Sequence, residues 1–201
     1  MPGTFNRGQE EAITHKGGPL MVLAGPGSGK TLVITYRVKW LIENAGVHPS
    51  NILVITFTRA AAEEMKKRFF MFDGMENAPV TFGTFHSIFF MILRYAYRYT
   101  VANIIREDVK RRYIKEMTEN MELEIEDENE FLSGIINEIS YVKGEMMSLS
   151  YYHSNNRSDE LFAQIYEGYE KRLREENLID FDDMLVFCYE LLKEREDIRT
   201  L

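Results

Sequence analysis

Residues 24–31 read AGPGSGKT. Before them stands the apolar run Leu20 to Leu23, which predicts a buried strand. After them Gly29 to Asn44 carries a helical pattern, with Leu32, Tyr36, Trp40 and Leu41 on one side. A glycine-rich loop between a strand and a helix is an anion site, because successive backbone N–H groups converge there and the helix N-terminus adds positive potential. Gly25, Gly27 and Gly29 give the backbone freedom to curl, with Pro26 and Ser28 between them. Lys30 is placed for the β- and γ-phosphates of a nucleotide, and the Thr31 hydroxyl for magnesium. The loop opens on Ala24 where the strict pattern has glycine. A bare glycine-rich turn is the competing account, and it leaves the flanking strand and helix unexplained. The loop predicts a nucleotide such as ATP with Mg2+, but many enzyme classes share it.

The rest of the first half continues the alternation. Glu10 to His15 reads as the end of a short helix, Asn51 to Phe57 as a second buried strand and Ala60 to Phe70 as a helix. Val80 to Phe82 reads as a short strand, and Phe85 to Tyr97 as an apolar helix. Strand and helix in turn predict an α/β fold, a parallel sheet wrapped by helices. The pattern then changes. Asp108 to Met121, Glu128 to Val142 and Asp159 to Glu176 are amphipathic helices uninterrupted by strands, with Phe131, Ile135, Ile139 and Val142 in one stripe and Phe162, Ile165, Tyr166, Tyr169 and Leu173 in another. Such stripes are core packing before they are anything else. Ser154 to Ser158 is a polar loop, and Asp180 to Leu192 a last helix with Asp180 as its N-cap. These patterns divide the chain into a core of residues 1–100 and 178–201 and an all-helical insertion over 101–177.

Charge is distributed unevenly. The net charge is −8, yet residues 1–100 hold 11 Lys+Arg against 7 Asp+Glu, and residues 101–201 hold 13 against 25. Overall acidity therefore says little about a local phosphate-binding face. No apolar run approaches a membrane span of about 20 residues. The N-terminus lacks the apolar stretch of a secretory signal. One cysteine, Cys188, excludes an internal disulfide and a Cys-rich zinc site. These features favour the cytoplasm and no membrane partner.

Four further segments surround the loop: FNRGQEEAI from Phe5, ITFTRAAAEEMKKR over 55–68, TFGTFHS over 81–87, and LIDFDDML over 178–185. In order and spacing, over nearly the whole chain, these resemble the UvrD/Rep/PcrA-type superfamily 1 DNA helicases. The TFT-x-x-AA and GTFH segments are far more specific than the phosphate loop. The resemblance implies a P-loop NTPase (RecA-like) motor core, with helices on both faces of its parallel sheet. It also implies ATP and Mg2+ as cofactors, single-stranded DNA as partner and 3′ to 5′ translocation.

The resemblance also implies roles. Gln9 resembles the glutamine that reads the adenine edge, with Phe5 packing nearby; taken alone it would be a surface helix residue. Arg37 resembles a family arginine near base and ribose, against an equal alternative as a solvent-facing helical arginine. Thr56, Phe57, Thr58 and Arg59 resemble a single-strand contact, in which an exposed phenylalanine stacks on a base and Thr58 and Arg59 reach phosphate. Here the family commonly has Asn then Lys where this chain has Arg59 then Ala60, so its cation is moved by one residue. Core packing is the ordinary alternative for Phe57. Thr84, Phe85 and His86 resemble the next strand-contacting segment, although a lone histidine is commonly structural. Phe181 resembles a strand-facing aromatic. Asp180, Asp182 and Asp183 read as helix-capping carboxylates, not metal ligands.

No apolar strand ending in Asp-Glu follows the loop, and the chain ends before the point where the family places that second magnesium motif. The resemblance therefore implies an incomplete core that binds ATP weakly and does not hydrolyse it, and that works with the rest of its own helicase chain. Two other readings stay open on the residues alone: the helicase subunit of a recombination helicase-nuclease, and a nucleotide-gated DNA-binding module without unwinding.

Overall fold

The computed structural model describes residues 5–119, 121, 125 and 127–200. They fall into two compact units, residues 1–85 and 86–201.

In the first unit α1 (Arg7–Thr14) is started by Asn6, whose side chain accepts from Gln9 N while the Gln9 side chain accepts from Asn6 N. This reciprocal cap satisfies two otherwise orphan donors. The loop leads into α2 (Lys30–Glu43). Strand β1 (Leu53–Thr56) feeds α3 (Arg59–Phe70), which Thr58 caps at its N-terminus and Lys67 and Arg68 complement at the other end. Strand β2 (Thr81–Thr84) pairs parallel with β1, Leu53 opposite Thr81 and Thr56 opposite Thr84. Val38, Ile52, Val54, Phe69, Met75 and Val80 make this unit's core. The buried face of α2 runs through Thr35 and Val38, while Leu32 stays exposed, so the face expected through Leu32 is rotated.

One expectation is overturned. Leu20 to Leu23 forms no strand among the described residues, and Met21 and Leu23 are 82% and 89% exposed. A run apolar on both faces is the pattern of a parallel strand with neighbours on both sides. The described ladder contains only β1 and β2, and no strand among the described residues pairs with the run.

The second unit is helical: α4 (Phe85–Tyr97, with Phe85 in the first unit), α5 (Glu107–Glu119), α6 (Glu128–Gly144), α7 (Asp159–Glu175), α8 (Phe181–Glu194) and the short α9 (Glu196–Arg199). The helix expected over 108–121 is α5, and its Asn120 lies outside the described residues. The expected stripes of α6 and α7 meet as one core of Phe131, Ile135, Ile139, Phe162, Ile165 and Tyr169 with Ile114 and Tyr113 of α5. A second cluster joins Leu93 of α4 to Met184, Cys188 and Leu191 of α8 and Ile198 of α9. Residues 103–105 and 177–179 lie side by side: Ile104 and Ile179 form a parallel bridge, Ile179 N donates to Asn103 O at 2.7 Å, and Ile105 N to Ile179 O at 2.9 Å. No helix among the described residues is long and apolar enough to cross a membrane.

Candidate nucleotide and strand-contact sites

The phosphate loop sits where the sequence places it, directly before α2. Gly27 and Gly29 have φ of +74° and +82°, the left-handed region that a side chain resists. Gly25 does not share this conformation. Chain neighbours apart, no heavy atom lies within 4 Å of where a Cβ would stand on Gly25 or Gly27. The loop thus presents open space in front of its backbone, which fits a phosphate group. Lys30 Nζ folds over the loop, donating to Gly25 O at 2.8 Å and Ala24 O at 3.3 Å, and Ser28 Oγ donates to Gly25 O at 2.7 Å. An arriving anion offers the Lys30 ammonium a stronger, charge-assisted exchange for these neutral carbonyls. Thr31 follows on the first turn of α2.

Gln9 stands beside the loop. Its Nε2 donates to Ser28 O at 3.0 Å and its Oε1 accepts from Asn6 N at 3.0 Å. Phe5 packs edge-on against Tyr36, centroids 4.9 Å apart, and Tyr36 in turn against Phe72. Arg37 Nη1 donates to the carbonyls of Ala12, Ile13 and His15 at 2.9, 3.3 and 3.2 Å. Gln9, Ser28, Lys30 and Arg37 line one cleft of about 580 Å³ with Ala12 and Ile34. The sequence suggested Gln9 and Arg37 for this region. It gave no sign that Gln9 would be tied to the loop backbone, or Arg37 to the carbonyl end of α1.

The second site is built by strand register. Because Thr56 is paired with Thr84, the residues that follow leave the carboxyl ends of adjacent strands together. Phe57 and Phe85 are therefore neighbours, centroids 5.6 Å apart, and Phe57 is 90% exposed. This exposure removes the core-packing account of Phe57. Thr58 Oγ1 accepts from Ala61 N at 3.2 Å and keeps a proton to donate. Arg59 is exposed and paired with Glu63 at 2.8 Å. In the second unit, His86 and Phe181 meet in a T-shaped contact at 5.5 Å, and both are exposed.

The three aspartates beside Phe181 are engaged with lysines. Asp180 caps α8 through Asp183 N and receives Lys143, Tyr169 and Lys110 on one carboxylate oxygen at 3.0, 3.0 and 3.3 Å. Lys143 also reaches Asp183 at 2.7 Å and Glu170 at 2.6 Å, and Ser140 donates to Asp182 at 2.7 Å. Helix capping, expected for at least part of this cluster, accounts for Asp180 and Asp183 at the start of α8. The missed signal was a lysine adjoining each apolar stripe, Lys110 before Tyr113 and Lys143 after Val142. Burial opposes ionisation of Asp180, but Lys143 and Lys110 outweigh it and hold its carboxyl below the ordinary range. Burial, then the Asp180 charge, push Asp183 above that range despite Lys143. A raised folded-state value means that Asp183 contributes stability below its ordinary 3.8, and that this is lost as pH rises through the raised value. Asp183→Asn is accordingly expected to remove a downward slope of at most about 1.4 kcal/mol per pH unit between 3.8 and the raised value of about 6. Urea unfolding of both proteins across pH measures the slope difference; identical slopes would refute the assignment.

A glycine-rich loop directly before α2, beside the parallel β1–β2 ladder, is compatible with a P-loop fold. Residues 5–200 match the UvrD/REP helicase N-terminal domain, and the chain belongs to that family, whose fold is the P-loop NTPase fold. It is 35% identical over 200 residues to the putative ATP-dependent DNA helicase YjcD of Bacillus subtilis, covering 96% of this chain and 26% of that protein. It is 34% identical over 202 residues to the ATP-dependent DNA helicase Rep of Escherichia coli, covering 97% and 30%. To the ATP-dependent DNA helicase PcrA of Staphylococcus epidermidis it is 34% identical over 197 residues, covering 94% and 26%. The chain thus spans between a quarter and a third of the length of these relatives.

Proposed function

We propose that the chain is the N-terminal, ATP-binding part of an ATP-driven motor that grips single-stranded DNA and moves along it 3′ to 5′. ATP is held at the loop by Ala24, Gly25, Pro26, Gly27, Ser28, Gly29 and Lys30, with Gln9, Phe5 and α1 on the base side. Thr31 holds Mg2+, which when bound neutralises phosphate charge. In the first unit Thr56 to Arg59 and Thr84 to Phe85 are assigned to DNA contact, and in the second unit His86 and Phe181 are. Residues 1–100 and 178–201 form the motor core, a RecA-like sheet with helices on both faces. Residues 101–177 are a helical insertion, a reading supported by the pairing of residues 103–105 with 177–179. ATP turnover is supplied only together with the remainder of a helicase of the relatives' length. Lys30 and Thr31 are the residues assigned to the transferring phosphate.

One observation carries this reading: Phe57, 90% exposed beside Phe85 at the carboxyl ends of paired strands. A large apolar ring held in water at that place suits a stacked base. Phe57→Ala is expected to weaken binding of a labelled oligothymidine by about 1–3 kcal/mol, some 5- to 150-fold. Fluorescence anisotropy at fixed salt reads the change. Unaltered affinity would sink the strand-contact reading.

A further inference from the structure

We propose that Arg37 is a positioning residue for nucleobase recognition, acting through α1 without touching the nucleotide. The proposal rests on the nucleotide-site reading above and adds to it a cause for the placement of Gln9.

Helix α1 has eight residues, fewer than a helix needs to persist by itself in water. Its last carbonyls lack intrahelical partners. It holds no basic residue in its last turn, and His15 ends it in a non-helical conformation without a left-handed cap. The missing cap comes from α2. The Nη1 group of Arg37 is shared among the carbonyls of Ala12, Ile13 and His15, bringing a cation to the negative end of the helix. At the other end Gln9 Nε2 holds Ser28 O, and Asn6 closes the N-terminal cap. The short helix is thus fastened at both ends to the loop–α2 segment, and the register of Gln9 over the loop depends on the Arg37 clamp. Arg37 Nη1 is spread over three carbonyls at the helix end. Gln9 keeps a second amide N–H and a second carbonyl lone pair beyond its bonds to Ser28 O and Asn6 N, and these are assigned to the adenine edge.

The test uses the chain with ATP, GTP and inorganic tripolyphosphate, each with Mg2+, in calorimetric titrations. Amide hydrogen exchange over α1 is followed without any ligand. Arg37→Ala is expected to speed exchange in α1 about tenfold, the scale of a lost helix cap. It should also lower the ATP-over-GTP preference about tenfold while leaving tripolyphosphate affinity within about twofold, because the loop itself is unchanged. Arg37→Lys, which keeps a cation at the same helix end, should restore part of both losses and carries the comparison if the alanine variant does not fold. Loss of base preference with unchanged α1 exchange would mean direct contact and overturn the proposal. Faster exchange with base preference intact would reduce Arg37 to a structural cap and overturn it equally. Failure of the unaltered chain to bind tripolyphosphate would instead overturn the nucleotide-site reading, and this proposal with it.

Discussion

Truncating Lys143 to alanine is expected to destabilise the chain by about 3–5 kcal/mol in urea unfolding, the usual loss when one partner of a buried ion cluster is removed. Lys143 is 3% exposed and lies within 3.0 Å of Asp180, Asp183 and Glu170. Without it, Asp180 keeps only Lys110 as a charged partner among the described residues, at 3.3 Å, and Asp183 faces the Asp180 carboxylate at the same helix start. Protonating an aspartate is the cheapest relief, so the loss should shrink as pH falls towards the carboxylate range. Lys143→Met keeps most of the buried stem and removes only the charge; it should retain most of the loss, which separates electrostatics from cavity formation. A loss below about 1 kcal/mol at neutral pH would mean that solvent reaches the cluster and that it stabilises little.

The second large effect is expected at Lys30. In a protein of the relatives' full length, Lys30→Ala should lower DNA-stimulated ATP hydrolysis about 10²- to 10³-fold, the scale of losing one preorganised group from a transition-state clamp. The ammonium is already delivered to the loop, bonded to Gly25 O and Ala24 O, so binding exchanges acceptors with little rearrangement. In the 201-residue chain the same change should cost at least about tenfold in ATP affinity. Hydrolysis that survives Lys30→Ala would place the reacting phosphate elsewhere.

Most of the architecture was legible where local rules decide it. The stripes of α6 and α7, the capping of α8 by Asp180, and the strands around residues 53–56 and 81–84 follow from periodicity and cap chemistry within each segment. The failure at Leu20 to Leu23 has the opposite cause: a strand is made by its neighbours, and apolar residues cannot supply their own ladder. The site divides in the same way. Gly27, Gly29 and Lys30 are readable because their spacing is itself the loop. Whether Phe57 faced water or core depended on the register of β1 with β2, and Arg37's partners lie 22 to 25 residues away along the chain, beyond any local pattern. Lys110 and Lys143 were hidden because each stands next to a readable stripe but has its charged partners on other helices.

The bridge between Ile104 and Ile179 has a wider consequence. Polypeptide that departs and returns through one hydrogen-bonded gate behaves as a graft: its two stumps are held together whatever grows between them. Lengthening such a segment adds only slowly to the entropy of closing it. On the proposed reading of residues 101–177 as an insertion, the span between Ile104 and Ile179 is where a change of length costs the rest of the chain least in closure entropy.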